Sequence, residues 1–178
     1  MVHFACEKGS SLEVTKVLVE TYPDALKFVN TDGNLPLHHA CENGASFDVI
    51  KVLVEEYPDA LKSINTLGNL PLHCASENNA SVDVIKFLVE AYPDALKIHG
   101  YKNMLPLHHA CASKTSLEVI KVLVEAYPDA LKSVDTHGKL PLHCACENGA
   151  NVEVIKFLVE AYPDALKIVH TDGNHPLH

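Results

Sequence analysis

The sequence contains no arginine, and its charge is strongly negative. Lysine supplies all 14 basic residues, against 23 aspartates and glutamates, so the formal net charge is −9. Nucleic-acid backbones and anionic membranes are recognised through clustered positive charge, which this composition does not offer. We therefore expect neither nucleic acid nor a membrane as a partner.

The sequence also lacks the segments that mark export or membrane insertion and the motifs that mark common enzymes. No basic segment followed by a long apolar run opens the chain, and no stretch approaches the ~20 apolar residues of a membrane span. No glycine-rich phosphate loop, nucleophile elbow or metalloprotease helix occurs. These absences predict a non-enzymatic protein of the cytoplasm or nucleus.

What the sequence does contain is an internal repeat with a fixed period. The motif Leu-Pro-Leu-His starts at Leu35, Leu70, Leu105 and Leu140, always 35 residues apart. A second motif, Tyr-Pro-Asp-Ala-Leu-Lys, recurs with the same spacing. Units of this length that contact only their neighbours form a solenoid. We expect one array over residues 1–178, with a partial repeat at 1–34, full repeats at 35–69, 70–104, 105–139 and 140–174, and a truncated repeat at 175–178.

Each repeat is predicted to form a turn and two helices. In the example at residues 65–93, the run 65–69 is rich in turn residues, and Pro71 suits the first position of a helix. That helix is short and ends near Asn78. Ser81 is a good N-cap for a second, mostly apolar helix, which Pro93 stops.

Six cysteines and 12 histidines raise the question of disulfides and metal sites. Cys6, Cys41, Cys111 and Cys146 share one repeat position, and helices packed ~8–10 Å apart hold such residues beyond the ~7 Å limit for a disulfide. His38 and Cys41 lie on one helix face but offer only two ligands, where tetrahedral zinc needs four. We expect buried free thiols in a reducing compartment, with no metal and no cofactor.

The order of turn, Gly-x-x-Pro-Leu-His-x-Ala, short helix and second helix resembles the ankyrin repeat over essentially the whole chain. The match is carried by the run 33–40, which recurs in register. The resemblance implies an all-α, ankyrin-like α-solenoid of stacked helix-turn-helix repeats joined by hairpin-like loops. It also implies that His38, His73, His108 and His143 hydrogen-bond backbone between repeats.

Two features depart from the ankyrin pattern. The period is longer than the usual ~33 residues. Leucine stands before Pro-Leu-His where the family usually has threonine, so the hydroxyl that would cap the first helix is missing. Leucine is a poor N-cap, and we expect a loss of ~1 kcal/mol per repeat unless another group substitutes.

The candidate binding residues lie where the array stops repeating. Residues 100–104 replace the usual turn before the third full repeat, and residues 112–114 replace Glu-Asn-Gly. No acidic residue occurs from 95 to 117, while Lys97, Lys102 and Lys114 give that segment a local charge of +3.

By resemblance, ankyrin arrays bind proteins through loop tips and the concave face of the first helices. We call Tyr101, Lys102, Met104, Ala112 and Ser113 the third-repeat patch. The resemblance also selects the flanking residues Thr66, Leu67, Asn69, Glu77, Asn78, Thr136, His137, Lys139, Glu147 and Asn148. The expected partner is another protein, with an acidic segment meeting the lysines.

Two alternatives stay open at this point. The array could be a structural rod that self-associates head to tail through its repeat ends, or a segment of a larger multidomain protein. The irregular third repeat could also result from drift, which one sequence does not distinguish from selection.

Overall fold

A computed structural model describes residues 11–171, 173 and 175–176. The described residues form two rows of helices and no strand. In chain order the helices are α1 (Leu12–Thr21), α2 (Pro36–Glu42), α3 (Phe47–Glu56), α4 (Pro71–Glu77), α5 (Val82–Ala91), α6 (Pro106–Ala112), α7 (Leu117–Ala126), α8 (Pro141–Glu147) and α9 (Val152–Ala161). Cys6 and the last two residues of the expected truncated repeat lie outside the described part of the chain.

The short even-numbered helices form one row and the longer odd-numbered helices form the other. Each short helix packs on the next short helix, and each long helix packs on the next long helix. Each short helix from α2 to α8 also packs on the long helix that follows it. This confirms the predicted helical solenoid. No helix among the described residues has the length and apolarity that a membrane crossing requires.

The core is shared between repeats because equivalent apolar residues stack on one another. Ala75 and Ala110 are completely buried on the short helices, where a small side chain allows close approach. Ile85 and Leu88 are at most 1% exposed on the long helix α5, and their equivalents repeat this in α3 and α7. The described cysteines Cys41, Cys74, Cys111, Cys144 and Cys146 are free thiols.

Four of the long helices begin after a serine, as predicted for Ser81. The hydroxyl of Ser81 accepts a hydrogen bond from the N–H of Val84 at 3.4 Å, and Ser11 and Ser116 make the same bond. Ser46 makes no such side-chain bond. After each long helix a Tyr-Pro pair ends the α-helix, and Pro-Asp-Ala-Leu-Lys forms a turn of 3₁₀ helix.

The short helices begin without a capping hydroxyl, and a histidine compensates for it in part. His38 Nδ1 accepts a hydrogen bond from the N–H of Leu35 at 3.2 Å, and the same bond recurs at Leu70, Leu105 and Leu140. The proline that follows has no N–H to satisfy. A backbone donor at the start of the helix is therefore paired although leucine has no acceptor.

The same histidines join neighbouring repeats through their other ring nitrogen. His38 Nε2 lies 3.1 Å from the carbonyl oxygen of Asn69, and His73 Nε2 lies 2.9 Å from that of Ile98. His108 and His143 make equivalent bonds to the following turn. Since Nδ1 accepts an N–H, the ring proton is on Nε2, which donates to the carbonyl. The bonds to backbone that the resemblance implied are thus present.

These buried histidines predict that acid destabilises the fold. Burial lowers the pKa of His38 and His108 to about 4 and that of His73 to about 3. The unfolded chain binds protons below pH ~6.5, whereas the folded chain binds them only near pH 3–4. The stability contribution is therefore complete above pH ~6.5 and is lost on acidification, by up to ~1.4 kcal/mol per pH unit for each histidine.

Urea unfolding followed by circular dichroism at about pH 7.5 and about pH 5 measures this loss. Repeating the series at ~0.5 M salt is the control, because salt screens surface charges and leaves buried groups largely unaffected. An unfolding midpoint that is equal at both pH values would contradict the histidine explanation.

Candidate functional site

Two of the regular repeats place a polar pair between the loop tip and the end of the short helix. Asn34 Nδ2 donates to both carboxylate oxygens of Glu42 at 3.0 and 3.1 Å. Lys139 Nζ donates to Glu147 Oε2 at 2.7 Å in the equivalent place. In the third full repeat these two positions are Met104 and Ala112, both half-buried. An apolar pair therefore replaces a polar pair at one repeat of the array.

The same substitution interrupts a row of carboxylates that links neighbouring repeats. Glu42 lies 3.6 Å from Cys74 Sγ, and Glu77 lies 3.4 Å from His109 Nδ1. The hydrogen bond from His109 lowers the pKa of the Glu77 carboxyl. Ala112 provides no carboxylate at the next step of the row. A small, uncharged surface therefore lies between Glu77 and Glu147.

The loop tip before the third repeat has its own hydrogen-bonding arrangement. In regular turns the N–H of a threonine donates to a carbonyl oxygen of the preceding loop tip. The N–H of Thr136, for example, donates to the carbonyl oxygen of Lys102 at 2.9 Å. Tyr101 stands at the threonine position, and its N–H donates instead to Asn69 Oδ1 at 2.8 Å. Asn103 Nδ2 donates to the carbonyl of Val134 at 3.0 Å on the other side. The tip is thus fixed to both neighbouring turns.

Gly100 explains why this turn differs. Its equivalents Asn30, Asn65 and Asp135 each accept two backbone N–H groups of their own turn through the side chain. Gly100 has no side chain, and Asn69 fills the space. A Cβ on Gly100 would overlap Asn69 Oδ1 and approach the His73 ring at 3.1 Å.

One ring nitrogen of a buried histidine, the Nε2 atom of His109, loses its hydrogen-bond partner as a result. In the first full repeat Asn30 Nδ2 lies 3.1 Å from His39 Nε2. His109 is the equivalent of His39, and its Nε2 has no hydrogen-bond partner within the described part of the chain. His109 is 3% exposed and also contacts the His73 ring edge-on, with 5.5 Å between the ring centroids. The turn thus leaves a buried polar atom unsatisfied beneath the patch.

Two residues of the third-repeat patch are exposed and three are half-buried. Tyr101 is 44% exposed, and Lys102 Nζ lies 5.2 Å from the centre of its ring, within cation–π range. Met104, Ala112 and Ser113 are half-buried. The patch therefore combines an aromatic ring, an apolar pair and a cation, placed in the loop before α6 and at the end of that helix.

Eight of the ten flanking residues are exposed, one is half-buried and one is buried. Lys139 is half-buried, and the exposed flanking residues are Thr66, Leu67, Glu77, Asn78, Thr136, His137, Glu147 and Asn148. Asn69 is only 3% exposed. Its backbone N–H donates to Asn65 Oδ1, and its side-chain Oδ1 accepts the N–H of Tyr101. Asn69 therefore positions the Tyr101 loop and does not itself present a surface for contact.

The local charge is smaller than the sequence suggested. Lys97 Nζ lies 3.4 Å from Asp94 Oδ1, so its charge is partly neutralised by a residue just outside the acid-free segment. This pair belongs to the Pro-Asp-Ala-Leu-Lys turn, where Lys27, Lys132 and Lys167 make the same contact. Lys102 and Lys114 are the lysines of the segment that remain to act on a partner.

Sequence reasoning did not identify Gly100, Asn103 and His109 as a connected set. Their coupling runs through side-chain contacts between repeats, which no single motif displays. The apolar pair could have been found, since Asn34 and Glu42 lie eight residues apart, as do Lys139 and Glu147.

Comparison with known families supplies one match. A family model described as ankyrin repeats, in three copies, matches residues 2–98 and again residues 94–172. A comparison with curated proteins found no match.

The Gly100 geometry predicts that Gly100→Ala destabilises the fold. The added methyl group displaces the Asn69 amide and removes the bond to the Tyr101 N–H, at a cost of about 1–3 kcal/mol. Urea unfolding measures the change. In an Asn69→Ala background the methyl group meets less obstruction, so the two losses should not add. Additive losses would contradict the proposed overlap.

Proposed function

Since the chain belongs to the ankyrin repeat family, whose arrays generally bind other proteins, we propose that it is a non-enzymatic protein-binding module that docks a partner on the third-repeat patch. The observation that carries the choice of surface is the replacement of the Asn34–Glu42 type of polar pair by Met104 and Ala112. A half-buried apolar pair among polar groups is the feature that a partner can cover with least desolvation of polar atoms.

The composition of the patch suits the centre of an interface. Tyrosine and methionine are enriched at interfaces, and tyrosine is frequent among the residues that dominate binding energy. Ala112 and Ser113 leave room beside Met104 where the other repeats carry longer side chains. A partner side chain can therefore enter between Tyr101 and the end of α6.

The fixed tip favours binding by reducing the conformational entropy that docking must remove. Tyr101 is attached to the preceding turn through Asn69, and Asn103 to the following turn through Val134. A loop already held in one shape loses little further freedom in a complex. The exposed flanking residues of the two neighbouring repeats then form the polar rim.

The proposal includes a reducing compartment, the cytoplasm or nucleus. The described cysteines are free, and burial raises the pKa of Cys74 and Cys111, so these thiols are protonated and unreactive. This is consistent with thiols that serve only as small packing groups.

Self-association through the repeat ends stays a separate prediction. A head-to-tail rod requires a molar mass that rises with protein concentration, whereas a docking module stays monodisperse. Light scattering over a concentration range distinguishes the two, and a rising mass would favour the rod.

The docking proposal predicts that restoring the regular polar pair removes binding without loss of stability. In Met104→Asn with Ala112→Glu the new amide can reach the new carboxylate as Asn34 reaches Glu42. Peptides selected from a random display library on the wild-type array should then fail to bind this variant.

Tyr101→Ala and Met104→Ala should each weaken binding of the same peptides by ~2 kcal/mol, as expected for central interface residues.

The matched control makes the opposite exchange in the first full repeat. Asn34→Met with Glu42→Ala creates an apolar pair there and leaves the third repeat intact, so binding of the selected peptides should persist. Equal binding by the wild type and the Met104→Asn, Ala112→Glu variant would rule out the third-repeat patch as the docking surface.

A further inference from the structure

Two lysines of the irregular segment adopt a backbone conformation that suits glycine. Lys102 has φ 54° and Lys114 has φ 58°, both in the left-handed region. Lys114 occupies the position of Gly44 and Gly149, whose φ values are 64° and 65°. A side chain with a Cβ is disfavoured there, so lysine costs stability that glycine would not.

The strain is concentrated in this segment. Among the described residues the non-glycine positions with positive φ are Asn79, Lys102, Asn103 and Lys114, and three of these four flank α6. Strained non-glycine residues gather at functional sites more often than elsewhere, because the site needs the side chain in that place.

The two ammonium groups are also free of intramolecular ion pairs. Neither Lys102 nor Lys114 pairs with a carboxylate of the described residues, whereas Lys97 pairs with Asp94 and Lys139 with Glu147. Lys102 lies in the loop four residues before α6, and Lys114 lies two residues after the end of that helix. Met104 and Ala112 lie between them in sequence.

The surrounding carboxylates are occupied. Glu77 accepts a hydrogen bond from His109, and Glu147 accepts one from Lys139. The strip along α6 thus offers two unpaired cations and an apolar pair, on a chain whose net charge is −9. These two cations attract an anionic group to a chain whose net charge otherwise repels it.

Resting on the proposed docking function, we infer that the occupant is an extended acidic segment of a partner protein. One carboxylate side chain meets Lys102, a second meets Lys114, and an apolar side chain between them packs on Met104 and Ala112. Extended chain advances ~3.3 Å per residue with side chains on alternate faces, so two acidic residues four positions apart lie on one face, ~13 Å from each other, with the apolar residue midway between them. The excess of acidic residues disfavours a nucleic acid as the occupant.

The test uses fluorescein-labelled synthetic peptides of one length with leucine at the centre. The three peptides differ only at two positions, four residues apart, that flank the leucine. Both positions carry Glu in the first peptide, Gln in the second and Lys in the third. Anisotropy titrations should show binding of the Glu peptide alone, weakening with salt. Lys102→Gly and Lys114→Gly should each reduce its affinity roughly two- to fivefold, as for exposed charge pairs.

Stability and a charge-matched variant separate recognition from damage to the fold. Lys114→Gly should unfold at a urea midpoint no lower than that of the wild type, since glycine fits its φ better. Lys16→Ala removes the same charge from the exposed face of α1 and should leave peptide affinity unchanged. A variant that is at least as stable as the wild type but binds the Glu peptide less well locates the lysine in recognition.

The outcomes distinguish this inference from the docking proposal. The inference of an acidic segment is overturned if the Glu peptide does not bind. It is also overturned if the Gln or Lys peptide binds as well as the Glu peptide and the lysine variants retain affinity. The docking proposal then still stands on the display-selected peptides and on their loss with Met104→Asn and Ala112→Glu. If no peptide of either kind distinguishes that variant from the wild type, both are overturned.

Discussion

The stack of repeats depends on one imidazole per repeat that makes two hydrogen bonds. His73 accepts the N–H of Leu70 at Nδ1, at 3.1 Å, and donates from Nε2 to the carbonyl of Ile98, at 2.9 Å. The bond at Nδ1 requires the neutral ring, because the nitrogen that accepts can carry no proton. Burial keeps the ring neutral, since it lowers the pKa to about 3. The start of a helix and its distance from the next turn are therefore set by the same side chain.

Because these bonds end on main-chain carbonyls, they leave the identity of the tip residues free. The carbonyl of Ile98 or Asn69 is available to a histidine whatever side chains the turn carries. The turn at 100–104 has a different composition and still lies beside a regular α6. A frame held through backbone groups tolerates variation at the tips, which is where binding residues are placed in repeat proteins.

Much of the fold could be predicted from the sequence, because its determinants are local. Pro71 and Ser81 mark helix starts by their own chemistry, and Pro93 marks an end. The capping of the short helices could not be predicted from leucine alone, because the compensating acceptor lies three residues later on His73. The resemblance selected Asn69 as a contact residue, whereas the structure buries it and its side-chain oxygen accepts the N–H of Tyr101 in the next turn. Contacts between repeats decide both cases, and a single repeat does not show them.

The irregular turn is best understood as one coupled change. Without a side chain at Gly100, the amide of Asn69 enters the vacated space and takes over the N–H of Tyr101. The same loss leaves His109 Nε2 without the amide that pairs with His39 in the first full repeat. An unsatisfied buried nitrogen and left-handed lysines each cost stability. Ordinary turn residues at these positions would remove those costs, so this turn is less stable locally than its neighbours. A contact with another molecule that a regular tip does not make would offset that local cost.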